Sequence, residues 1–158
     1  MLPAATPSAS CAARNRGNDH LRAGLLDEAA SAYAEALAAA SWREGGALTQ
    51  LPAADRADAT AALLNRAQVR LKQGRPADAV RDCACVLAAD PGNEKALFRR
   101  ASALETLGEM RPAMEDAVRL LQVNRGSWRV RRCCGGCVAP RPQAALGGQR
   151  RPRRPVRG

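Results

Sequence analysis

Five polar side chains carry the chemistry this sequence is best equipped to do: Arg14, Asn18, Asn65, Lys95 and Arg99. Three are cations and two are amides, so each offers hydrogen-bond donors. Arg14 and Asn18 stand at i and i+4, as do Lys95 and Arg99. On a helix that spacing puts each pair on one face. Lys95 beside Arg99 is unfavourable in isolation, because like charges at this spacing repel. An anion held between them reverses the sign. Arginine grips a carboxylate with two parallel bonds, and asparagine amides add further donors. Presented to one space by successive helices, the five form a socket for a peptide carboxylate.

Other chemistry finds little support. His20 is the only histidine. No Ser/His/Asp set, paired-carboxylate geometry or phosphate-cradling GxxxxGK[ST] accompanies it. It is expected to be structural, the chain is expected not to be an enzyme, and no cofactor is expected. Cys133, Cys134 and Cys137 resemble half a zinc site, but structural zinc takes four ligands. The cluster is read as fortuitous, with no metal. Cys83 and Cys85 lie two apart on a predicted helix and do not share a face. Cys83 is expected to be a small buried hydrophobe.

The elements that must position the five residues recur as two-helix units. One begins near Ser10 (GNDHLRAG, then LLDEAASAYAEALAA). A second begins near Thr60 (AALLNRAQVRLKQG, then RPADAVRDCACVLAADP), and a third near Glu94 (KALFRRASALETLG, then EMRPAMEDAVRLLQ). Thr60 and Glu94 are 34 residues apart, which is the tetratricopeptide period. Gly17, Ala67 and Ala101 share one register, and Ala29, Ala79 and Ala113 another. Small side chains there let paired helices approach closely. Tyr33, Cys83 and Ala117 share a later position, as do Ala36, Val86 and Leu120. Gly24, Gly74 and Gly108 each close a first helix, where a left-handed residue is cheapest as glycine. Pro91 closes the second unit, while Pro76 and Pro112 fall in first turns, where proline is tolerated.

The predicted fold is all-α, a solenoid of three helix-turn-helix units with a disordered basic tail. Residues 1–9 are a flexible N-terminus and 10–124 the repeat domain, with units at about 10–40, 60–93 and 94–124. Residues 41–59 form an insert punctuated by Gly45, Gly46 and Pro52, flanked by helices longer than usual. Trp42, within it, is either a cover for the first unit or an exposed anchor. No helix that would cap the last unit is legible after Leu121. Residues 125–158 are rich in Arg, Pro and Gly, and are expected to be disordered.

With the repeat in place the motifs resemble the carboxylate-clamp class of tetratricopeptide domains, the chaperone adaptors that hold acidic C-terminal peptides of the seventy- and ninety-kilodalton heat-shock chaperones. That class opens with a basic residue, three intervening residues and Asn in a G-N pair, and RNRGN supplies Arg14 and Asn18. The usual first residue is lysine, so Arg14 departs from the pattern while keeping the charge. The second-unit asparagine followed by arginine matches Asn65-Arg66, and K-x-x-x-R matches Lys95 and Arg99 in KALFRR. These segments are most similar to the UNC-45 family. The resemblance covers residues 10 to about 124. It implies that Asn18 and Asn65 bind the carboxylates of the terminal residue, that Lys95 holds the terminal carboxylate region, and that Arg99 reaches an acidic side chain farther back. It implies a heat-shock protein 90 or 70 peptide as partner, with any client unnamed.

Composition bounds the alternatives. The 158 residues suit one domain, and the apolar fraction of 46% is largely alanine. The net charge of +10 is not spread evenly: residues 125–158 hold ten arginines and no acid, and the remainder is balanced. Only the tail offers a reason to bind nucleic acid, weakly and without sequence preference. No secretory signal opens the chain and no apolar run is long enough to span a membrane, so a reducing, cytoplasmic setting with free thiols is expected. Two further readings stay open: a scaffold that holds an internal peptide of another protein, and a nucleic-acid-associated protein acting through the arginine-rich tail.

Overall fold

The computed structural model describes residues 8–123. They form six helices: α1 (Ala9–Ala23), α2 (Leu26–Ala39), α3 (Ala53–Lys72), α4 (Pro76–Ala89), α5 (Glu94–Thr106) and α6 (Met110–Val123). A single 3-10 turn, Leu48–Gln50, interrupts the connection between α2 and α3. The expected basic tail and its Cys133, Cys134 and Cys137 lie outside the described residues.

Local chemistry sets the helix ends. The Ser8 hydroxyl accepts from the Cys11 amide at 3.1 Å and caps α1. Gly24 ends α1 at φ 80°, a left-handed conformation that a side chain resists, and Gly74 and Gly108 repeat it at 72° and 79°. Pro76 occupies the first position of α4, where its missing N–H costs nothing. Asn93 caps α5 by accepting from the Ala96 amide at 3.2 Å.

Each helix packs against the next in sequence, and α3 also touches both α1 and α5. Among the described residues no such contact joins α2 to α4 or α4 to α6. The first helices of the units are therefore closer together than the second helices, and α1, α3 and α5 line the inner side of the curve. The small-residue registers explain how: Gly17, Ala67 and Ala101 are buried, as are Ala29, Ala79 and Ala113. Tyr33, Leu37, Leu63, Leu97 and Leu120 fill the space between them and are fully buried.

Helix α3 reaches Ala53, about two turns before the Thr60 start expected for the second unit. Its added residues, AADRADA, are rich in alanine, a strong helix former. Arg56 ties this extension to the preceding segment, donating to the carbonyls of Thr49 at 3.1 Å and Leu51 at 2.9 Å. Trp42 is a cover and not an exposed anchor. It is buried, its Nε1 donates to the Gly46 carbonyl at 3.0 Å, and the Arg66 guanidinium lies 5.8 Å from its ring centre. Leu48 is buried in the 3-10 turn, which packs against α3 and α4.

Candidate functional site

The groove is organised around two amides. Asn18 on α1 and Asn65 on α3 are 47 residues apart in sequence, and Asn65 Nδ2 donates to Asn18 Oδ1 at 2.9 Å. The same Asn18 oxygen accepts from the Tyr33 hydroxyl at 2.8 Å. Asn18, Leu21, Arg22, Asn65 and Lys72 together line a depression of about 330 Å³. The two asparagines are thus brought into direct contact and face a shared open space.

The cations stand around this pair in different states. Arg99 on α5 reaches back to α3, where Nη1 donates to the Leu64 carbonyl at 2.5 Å and Nη2 to Gln68 Oε1 at 2.6 Å. These bonds anchor α5 to α3 beside Asn65 and occupy two of the five guanidinium N–H groups. Arg14 is half-buried one turn before Asn18. Its Nε lies 3.5 Å from the Asp58 carboxylate, in ion-pair range but without a hydrogen bond, and Nη2 reaches Cys11 Sγ at 3.5 Å. Lys95 is exposed one turn before Arg99.

Tyr33 registers this surrounding charge. Burial pushes its hydroxyl above the usual tyrosine range. The neighbouring Asn65 amide and the positive charges of Arg99, Arg14 and Arg22 work against that rise. Three arginines from α1 and α5 therefore act on one point beside the amide pair. Arg22 is itself paired with Asp19 at 2.8 Å, but that pair is largely solvent-exposed and weak.

Three contributors escaped the sequence reading. Tyr33 shares its register with Cys83 and Ala117, and its hydroxyl, alone in that register, was the available signal. Gln68, three residues after Asn65, holds Arg99. Asp58, which faces Arg14, lies in the stretch assigned to an insert. Arg66, the companion of Asn65 in the motif, turns away from the groove. It forms two bonds to Asp82 of α4, at 3.0 and 2.7 Å, both residues being buried. Arg100 repeats the arrangement with Asp116 of α6, at 2.6 and 2.5 Å.

His20 is half-buried, and among the described residues no group of His, Cys, Asp or Glu could hold a metal ion. Cys83 is fully buried, as its register required, and Cys85 is half-buried. Among the described residues no helix is long and apolar enough to cross a membrane.

Three helix-turn-helix units stacked with an inner polar groove define a tetratricopeptide-repeat domain, a fold whose concave side presents a binding surface. The structure superimposes on the first such domain of RPAP3 (Spaghetti) bound to the heat-shock protein 90 peptide SRMEEVD, with TM-score 0.66 and 21% identity, covering 80% of this chain and 89% of that one. It also superimposes on the myosin chaperone UNC-45 from C. elegans in complex with a heat-shock protein 90 peptide, with TM-score 0.65 and 28% identity over 80% of this chain and 13% of that one. Among curated proteins it is 34% identical over 113 residues to sperm-associated antigen 1 of Mus musculus, covering 72% of this chain and 12% of that protein. It is 33% identical over 111 residues to the mitochondrial import receptor subunit TOM34 of Homo sapiens, covering 70% of this chain and 33% of that protein. The chain thus spans a third or less of these curated relatives. No protein-family profile matches it.

Proposed function

We propose that this domain is a non-enzymatic, cytoplasmic co-chaperone or adaptor. In this reading it grips the acidic C-terminal peptide of a heat-shock protein 90 or 70 class chaperone. Arg14, Asn18, Asn65, Lys95 and Arg99 are the clamp. The observation that carries the reading is the Asn18–Asn65 contact with arginines on both sides of it. Amide donors beside cations suit a carboxylate, which needs several N–H groups and a compensating charge. The similarity to domains solved with heat-shock protein 90 peptides supports the same reading.

The test is calorimetric titration with SRMEEVD as free acid and as C-terminal amide. The free acid should bind, and amidation should weaken binding by about tenfold or more, equivalent to about 1.4 kcal/mol. Lys95→Ala should cause a loss of similar size. Equal affinity for acid and amide would remove the clamp and leave a groove that holds internal segments.

A further inference from the structure

Tyr33 does not line the groove, yet its hydroxyl ends on the residue at the groove's centre. Its ring is fully buried and packs against Gly17, where even a methyl group would meet ring carbons at 2.6 and 2.8 Å. The core packed around the ring therefore sets the direction of the hydroxyl. It donates to Asn18 Oδ1 at 2.8 Å, and Asn65 Nδ2 donates to the same oxygen at 2.9 Å.

This has a chemical consequence for Asn18. An asparagine amide has an acceptor end and a donor end, and it can present either to a ligand. Two protein donors converge on its oxygen, so the oxygen is committed. Its nitrogen carries the hydrogens left to give, and among the described residues no hydrogen bond uses them. A flip of the amide would set nitrogen against Asn65 Nδ2 and lose that bond, and the Tyr33 hydroxyl would have to turn from donor to acceptor. A carboxylate accepts hydrogen bonds only. The amide is thus held in the one orientation that welcomes an anion and disfavours a donor ligand.

We propose that Tyr33 is a positioning residue for anion recognition, its hydroxyl locking the Asn18 amide with the nitrogen toward the groove. The inference rests on the clamp reading of that groove. It predicts a loss of recognition, on removing one hydroxyl, that is transmitted through Asn18 alone.

The experiment is a double-mutant cycle on the full chain with Tyr33→Phe and Asn18→Ala, titrated with SRMEEVD as acid and amide. Binding is referred to the folded fraction measured by circular dichroism in each sample. Tyr33→Phe keeps the ring against Gly17 and should weaken acid binding by about five- to tenfold, as expected for one lost hydrogen bond. Binding of the amide should change by less than twofold. In the Asn18→Ala background the same substitution should have no further effect. An unchanged acid affinity, or additive losses in the cycle, would overturn the positioning role. Failure of the wild-type chain to prefer acid over amide would instead overturn the clamp. Where Tyr33→Phe leaves too little folded protein, the Asn18 side-chain NH₂ resonances of labelled wild-type protein decide. They should shift on adding the acid peptide, and their failure to shift during binding would sink the proposal.

Discussion

Asp82 holds the guanidinium of Arg66 through two hydrogen bonds, both partners being almost completely buried. Arg70 adds a second cation to the same carboxylate at 2.9 Å. Asp82→Ala would take the buried carboxylate from two guanidinium groups at the α3–α4 interface and leave them the exposed Glu44, at 3.7 Å from Arg66 and 3.9 Å from Arg70. Breaking a buried pair from one side costs about 3–5 kcal/mol. Urea denaturation should therefore show a loss of that size, close to the full stability of a small domain. Arg16 and Glu35 pair at 2.6 Å in the first unit but are more than half exposed, so Glu35→Ala should cost less than about 1 kcal/mol.

Gly17 marks the place where the groove meets the core. A β-carbon there would lie 2.6 Å from Tyr33 Cε1 and 2.8 Å from Cδ1, far inside van der Waals contact. Gly17→Ala must push the Tyr33 ring or separate α1 from α2, and overpacking of this kind costs about 1–3 kcal/mol. Any shift of the ring also displaces its hydroxyl from Asn18. Melting temperature and SRMEEVD affinity should fall together, whereas Ala13→Gly, one turn earlier, should lower stability and leave affinity per folded molecule unchanged.

The repeat was legible because it is written in small residues. Gly17, Ala67 and Ala101 are all buried, and at Gly17 even a β-carbon would meet the Tyr33 ring. The helix-closing glycines and the 34-residue spacing carried the rest of the fold. The placing of Asn18 and Asn65 on first helices was legible too, but not their direct contact. What sequence could not supply was the direction of long side chains between helices. Arg66 follows Asn65 immediately, yet it points into the α3–α4 interface while Asn65 points into the groove. Tyr33 looked like core filler because Cys83 and Ala117 share its register, and its hydroxyl gains meaning only from the distance to Asn18. Nor could sequence show that Arg99 reaches back to α3, to the Leu64 carbonyl and Gln68.

Asp58 is the carboxylate that faces Arg14, so in the clamp reading it opposes an anionic ligand there. It accepts from the Ser8 hydroxyl at 3.1 Å and lies 3.5 Å from Arg14 Nε. Asp58→Asn keeps an acceptor for Ser8 and removes the charge. The Arg14 guanidinium then loses its internal counter-ion, and the groove becomes more positive. SRMEEVD should bind about threefold tighter, with a steeper dependence on salt. Calorimetry at two salt concentrations reads both effects, and unchanged affinity would place Arg14 outside the binding surface.

Cys83 makes the fold sensitive to alkali. Burial, above all, pushes its thiol from the usual 9.0 up to about 12, with the charges of Arg99 and Arg100 opposing the rise and those of Asp82 and Asp116 adding to it. In the unfolded chain the thiol releases its proton near the usual value, while the folded protein keeps it. Between these limits the folded state binds more protons than the unfolded state, so stability falls as pH rises. The stabilisation is complete below the unfolded value and lost progressively toward the folded one. The slope approaches about 1.4 kcal/mol per pH unit for this one group. Tyr33 is raised in the same direction and adds its own loss at higher pH. Cys83→Ala places there the residue the third unit already carries at Ala117, so packing should suffer by only about 1 kcal/mol. Urea midpoints at about pH 8 and about pH 10.5 should fall steeply for the wild-type chain, and the fall should be shallower for the variant by about 1–2 kcal/mol. Equal pH dependence in the two proteins would mean that water reaches the thiol between α3 and α4.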